Sequence, residues 1–324
     1  MKHTHSKQLL LLCSWLLSAC GGASITISGQ QDGTRLAQSV PTPMGGRIGA
    51  GRLAASGTFR GDVVSAVDSG SGQRTPPFSV GASLGVGFIG GDAALDCRFA
   101  EAHHGVRTNP MLATANPHTG VLWRCGASLR YALDAGHRVQ LLFGATLSLE
   151  NALVHRDFRF TRTTNGFGIP TSSMITDYTE RRVVTMFGAS AHITAQYDPH
   201  RYVMLEAALG LVMPPTLPRN VHYAWSPSGL NPSEPTADAL PFYEFGIAGM
   251  GWIGAAFGPE YARFAVRASG ALGNAAAITG AHFGAEAALV VSTQVFNPGP
   301  RTPFLSEWER RVSRATRSSG TPRD

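Results

Sequence analysis

The sequence predicts an all-β chain, an up-and-down antiparallel β-barrel of about ten strands, on three observations. Ten stretches alternate apolar with small or polar residues at a period of two, the side-chain period of a strand. The connections between them alternate short and long along the whole chain. Charged residues keep to one face of each strand.

The alternation is plainest in FSVGASLGVGF. There Phe78, Val80, Ala82, Leu84, Val86 and Phe88 share one side, and only Ser79, Gly81, Ser83, Gly85 and Gly87 lie on the other. The same signature places strands at residues 47–58, 78–88, 93–102, 120–134, 137–150, 180–197, 201–213, 241–257, 260–272 and 281–296. Gly, Pro and Asp mark tight turns at 89–92, 135–136, 198–200 and 258–259. The other connections, 59–77, 101–119, 151–179, 214–240 and 273–280, are longer loops. A barrel that crosses a membrane has this rhythm, with short turns at the periplasmic end and long loops outside.

The faces carry the argument further. Val121, Trp123, Cys125, Ala127, Leu129, Tyr131 and Leu133 share one row, opposed by Arg124, Gly126, Ser128 and Arg130. Phe283, Ala285, Ala287, Leu289 and Val291 oppose His282, Gly284 and Glu286. An arginine facing lipid near mid-membrane costs about 2–4 kcal/mol, so the charged rows must point inward. A lumen network is therefore expected of Arg98, Arg124, Arg130, Glu150, His192, Glu206, Glu244, Arg263, Arg267 and Glu286, because a buried charge without a partner is expensive. The alternative is a soluble, calyx-like barrel with its apolar row inward around a hydrophobic ligand. Tyr197, Tyr202, Phe257 and Tyr261 beside the short turns, with Trp123, Tyr178, Phe242 and Tyr243 beside the long loops, read as two aromatic girdles and favour the membrane.

On these residues the chain resembles the outer-membrane β-barrel class over 47–296, in architecture and without a diagnostic motif. The last strand ends in Val295-Phe296, like the terminal aromatic of such barrels, but a basic tail at 297–324 follows it. That tail is expected to be a disordered periplasmic end.

The amino terminus, 1–19, reads as a signal peptide, with Lys2 and Lys7 before a short apolar run. Leu17-Ser18-Ala19-Cys20 resembles the bacterial lipobox, which implies cleavage before Cys20 and its acylation with a chain such as palmitate. Gly21 rather than Asp after the cysteine implies sorting to the outer membrane. Residues 20–46 then read as the lipid anchor and a Gly/Pro/Ser-rich periplasmic linker. Both lysines leave with the signal, so 27 − 2 leaves 25 arginines against 21 acids. That excess of +4 is too small and too dispersed to argue for nucleic acid.

Two cysteines remain in the barrel. If the hairpin folds about Met111, paired positions sum to 222 and Cys97 stands directly opposite Cys125. Opposed α-carbons lie about 4.5–5.5 Å apart, within disulfide reach.

Chemistry-bearing residues are sparse. Ser190 and His192 share an inner face, and the turn at Pro199 is expected to bring Glu206 near them, an acyl-transfer set read more simply as lumen polar contacts. His103-His104 lacks a third metal ligand at suitable spacing. His155 and Asp157 are the residue types of the omptin proteases, whose paired motifs are absent. No catalytic residue, metal or cofactor is assigned. The expected partners are outer-membrane lipid and the lipoprotein-processing and barrel-assembly machineries. The expected role is that of a lipid-anchored barrel, not an enzyme, with a structural or surface-interaction function in its long loops. The alternatives are a narrow pore, and an outer-membrane hydrolase or periplasmic hydrophobic-ligand carrier.

Overall fold

The structure, a computed structural model, describes residues 23–37, 43–64, 73–104, 118–135, 138–166, 169–217, 220–225, 243–273 and 280–295. The strands are β1 (Ala23–Arg35), β2 (Arg52–Val64), β3 (Gln73–Arg74), β4 (Phe78–Phe88), β5 (Gly91–His104), β6 (His118–Asp134), β7 (Val139–Gly166) and β8 (Ile169–His200). They continue with β9 (Val203–Met213), β10 (Pro215–Thr216), β11 (Asn220–Trp225), β12 (Glu244–Phe245), β13 (Ala248–Phe257), β14 (Ala262–Gly273) and β15 (Gly280–Gln294). The chain divides into two units. One holds residues 33–153, 183–217 and 243–324, and the other 1–32, 154–182 and 218–242.

The larger unit contains the barrel. β2, β4, β5, β6, β7, β8, β9, β13, β14 and β15 pair in that order as an antiparallel wall, and β15 returns to β2 from Arg52↔Gln294 to Val64↔His282. This is a closed ring of ten strands. Closure leaves no sheet edge and pairs the wall's backbone groups internally, as hydrocarbon demands.

The two faces decide between membrane and calyx. Leu129, Leu209, Ile253, Phe264 and Leu289 point outward and are 51–76% exposed, whereas Arg60, Arg98, Arg124, Arg130, Arg267 and Glu286 point inward and are at most 5% exposed. A soluble calyx reverses this order. The protein is a transmembrane β-barrel of the outer-membrane type. In β4 the exposed row is Phe78, Val80, Ala82, Leu84, Val86 and Phe88, as the sequence predicts. Tyr197, Tyr202, Phe257 and Tyr261 are exposed at the short-turn end. At the other end the outward aromatics are mainly phenylalanines, Phe59, Phe78, Phe99 and Phe283, with Phe59 stacked on Phe78 at 5.7 Å.

Cys97 lies directly opposite Cys125 in a ladder whose partners sum to 222, and the two form a disulfide with α-carbons 4.1 Å apart. Their side chains belong to the outward, lipid-facing row.

Several boundaries differ from the reading of the sequence. The first wall strand begins at Arg52, not at residue 47, because Pro43–Gly51 is used elsewhere, as described below. The supposed loop at 151–179 is largely strand, since β7 and β8 run on through it. The apolar row there, Ala152, Val154 and Phe158, is broken by Arg156 and faced by charged residues, so it does not look like a wall strand. In the smaller unit these extensions join β1 and β11, with Ile25↔Trp225 to Gln30↔Asn220 paired antiparallel. Ile25, Ile27 and Phe158 form its small core. The strand expected at 241–257 starts at Ala248, and Glu244 lies instead in β12, paired with Thr216 away from the wall. Cys20, the signal peptide and the 297–324 tail lie outside the described residues.

Candidate functional site

The lumen is where the inward rows converge. At its centre Glu286 on β15 takes Arg98 of β5 in a two-pronged contact, at 2.9 and 3.0 Å, and also accepts from Arg60 of β2. Arg60 in turn donates to Asp62 at 2.6 Å, and Arg98 reaches Asp96 at 3.3 Å. Arg130 grips Asp92 through two bonds of 2.7 Å. Arg267 donates to Glu206 at 2.8 Å, and Arg124 pairs with Glu150. Each charge faces an opposite charge at contact distance, which offsets the cost of drying both.

Residues 33–37 and 43–49 run inside this ring. Residues 33–37 and 43–46, expected to be part of a periplasmic linker, are thus packed within the barrel. Leu36 is buried with Ala100, Ala102, Leu122 and Leu153 near the long-loop ends of β5, β6 and β7. Gly33-Thr34 pairs with β3, which lies in the long connection between β2 and β4. Met44 packs against Met204, Ala256, Ala265, Ala288 and Val290, and the Ile48 amide donates to Asp92 at 2.8 Å beside the short turn that joins β4 to β5. Contacts along β6 fix the direction. Arg124 donates to the carbonyls of Leu36 and Ala37, at 3.2 and 2.7 Å, and Arg130, six residues nearer the short turns, donates to Gly46 at 3.0 Å. The segment enters at the long-loop mouth and leaves at the short-turn mouth, where Gly51 donates to Gly87 at 2.9 Å and β2 begins.

Arginine chemistry explains how an irregular segment survives there. The wall's backbone groups are spent on their neighbours, so side chains must satisfy the segment's own. A guanidinium carries five donors and serves a carboxylate and a carbonyl together. Arg130, Arg267 and Arg124 each do both. Arg267 reaches the Pro43 carbonyl at 3.4 Å, and Arg263 that of Gly45 at 3.0 Å. The segment contributes Arg35, which lies 2.5 Å from Glu150 and also donates to the Pro215 carbonyl. Gln196 accepts from the Arg47 amide at 3.0 Å.

The small row of β4 makes the space. A Cβ at position 87 would stand 2.1 Å from the Gly49 carbonyl oxygen, and one at position 85 would stand 2.4 Å from Ile48 Cδ1. Those glycines leave room for the threaded segment itself.

Ser190, His192 and Glu206 do not assemble. His192 pairs with Gly210, while Glu206 pairs with Gln196 and gives its carboxylate to Arg267. His192 is buried edge-on to Trp252, with ring centroids 5.2 Å apart, and neither ring nitrogen has a hydrogen-bond partner among the described residues. Among the described residues no carboxylate accepts a hydrogen bond from it to orient it as a base. His155 lies 3.4 Å from Asp157 on the β7 extension. Among the described residues no cluster of three potential metal ligands occurs. The sequence reading missed Arg35, Arg60, Asp62, Asp92 and Asp96. Asp92 and Asp96 share the parity of Arg98, which was a usable signal. Arg60 and Asp62 lay past the expected strand end, and Arg35 lay in the supposed linker.

No protein-family model matches the chain, and no curated protein is similar to it in sequence. Among solved structures it is similar to the N-terminal β-barrel domain of Pseudomonas aeruginosa OprF, with 11% identity over 76% of this chain and 100% of that one and a TM-score of 0.28. It is also similar to LpxR from Salmonella typhimurium, with 6% identity over 74% and 99% and a TM-score of 0.33. A third is the outer membrane protease OmpT from Escherichia coli, with 8% identity over 84% and 97% and a TM-score of 0.34.

Proposed function

We propose that the protein is a lipid-anchored outer-membrane barrel that works as an envelope structural or surface-interaction protein, neither a channel nor a hydrolase. The observation that carries this reading is the filled lumen: the chain's own segment, held by Arg124, Arg130, Arg263 and Arg267, occupies the path a solute would take. Recognition then falls to the connection between residues 151 and 179, where β8 presents Met174, Ile175 and Tyr178 to solvent, beside the exposed Arg159–Asp177 pair at 3.0 Å. Asp177 holds the Arg159 guanidinium above its ordinary pKa through their hydrogen bond. Acylation at Cys20, by the lipobox, supplies the anchor.

Planar-bilayer recording of the full chain tests the reading. The expected result is a membrane-inserted protein without sustained conductance. Stable, voltage-independent conductance would move the assignment to a narrow pore. Turnover of ester or peptide substrates by refolded protein would move it to a hydrolase.

A further inference from the structure

We infer that the amino-terminal lipid of this protein lies on the outer, long-loop side of the membrane, with the chain passing from that side through the lumen to the first wall strand. The inference rests on the lipid-anchor reading above for the acyl group, and on the threaded segment for its position. Three observations carry the direction. Leu36 packs against Ala102 and Leu122 where β5 and β6 approach their long connection. Gly33-Thr34 pairs with β3, an element of another long connection. From there the segment contacts Arg124, then Arg130, then Asp92, in order toward the short turns.

Cys20 cannot double back. Of the two ways back across the membrane from the long-loop mouth at Gly33, one lies inside the barrel and the other along its outside. The route through the barrel is taken by the segment itself. A route along the outside would leave unpaired peptide groups in a hydrocarbon band about 25 Å tall. The acyl chains therefore insert into the outer leaflet. The other end of the wall behaves oppositely: the amide of Val295, just past β15, donates to Gly51 at 2.9 Å, at the short-turn mouth. The two chain ends thus leave the barrel on opposite sides.

The test places one epitope tag between Gly21 and Gly22 and, in a second strain, one after Asp324. Both strains are probed with antibody on intact and permeabilised cells, and intact-mass analysis of the amino-terminal peptide reports its acylation. Full labelling of the amino-terminal tag on intact cells, with the carboxy-terminal tag reached only after permeabilisation, is the expected result. A second tag of different sequence at the same position repeats the measurement, and heat-modifiable migration reports the assembly of each tagged strain, so poor assembly of one strain does not decide it. An amino terminus reached only after permeabilisation overturns the inference. Surface labelling with an unmodified Cys20 removes the lipid from it, and the anchor from the proposed function, while the threaded direction stands.

Discussion

Glu286 and Glu150 are both buried carboxylates that take two arginines, but they tie different things together. Glu286 on β15 holds Arg60 of β2 and Arg98 of β5, so its contacts bridge the seam where the first and last wall strands meet. Glu150 on β7 holds Arg124 of the neighbouring strand and Arg35 of the threaded segment. One node joins wall to wall, the other wall to contents. The same chemistry thus serves closure in one place and plugging in the other, and the two roles should separate on mutation.

Glu286→Leu should have the largest effect. It leaves Arg60 and Arg98 buried with Asp62 and Asp96 as their remaining carboxylate partners among the described residues, a change of the kind that costs about 3–5 kcal/mol. The urea midpoint of the whole barrel in detergent should fall accordingly. A midpoint no lower than that of Glu150→Leu would erase the distinction between the nodes.

Glu150→Gln should act on the segment instead. Losing a charge-assisted bond costs about 1.5–3 kcal/mol, borne where Leu36 and Ala37 meet Arg124. Trypsin should then cut after Arg35 or Arg47 while the wall still migrates as a folded, heat-modifiable band. Simultaneous loss of wall and segment would show that they are one cooperative element.

The finest test compares two glycines. Gly87→Ala drives a Cβ into the Gly49 carbonyl, whereas Gly57 on β2 has nothing within 4 Å of the equivalent position. Overpacking of the first kind costs about 1–3 kcal/mol. Gly57→Ala shares its backbone and unfolded-state effects without the clash. Trypsin sensitivity of the segment should rise only in Gly87→Ala, and equal sensitivity in the two variants would deny that the β4 glycines accommodate the segment.

The parts of the fold that were legible in the sequence are those where lipid dictates residue type. The β4 row and the shared face of Cys97 and Cys125 follow from a strict period of two, because a one-residue slip would turn every arginine outward, while their direct opposition rested on a hairpin centred at Met111. Residues 20–46 answer to no such constraint. Gly, Pro and Ser suit a linker in water equally well as an irregular thread held by side chains, and local composition cannot tell the two apart. The long β7–β8 extension was misread for a similar reason: away from hydrocarbon, its strands need no unbroken apolar row, and Arg156 and Asp157 interrupt this one. Of the lumen charges, the arginines and glutamates within patterned strands were identified, Asp92 and Asp96 were passed over although they share the parity of Arg98, and Arg60 and Asp62 were lost to a boundary placed four or fewer residues short of them.

The position of the Cys97–Cys125 bond imposes a schedule on biogenesis. Both sulfurs lie on the row that faces acyl chains. Disulfide chemistry proceeds through a thiolate, and a bare anion is strongly disfavoured in hydrocarbon. The bond must therefore close while the β5–β6 hairpin is still in water, ahead of insertion, with its pairing already chosen. Once the hairpin is in the bilayer, the same barrier shields the bond from charged reductants. A chain that inserts reduced stays reduced, so the redox state at mid-membrane is a permanent record of the order in which oxidation and insertion took place.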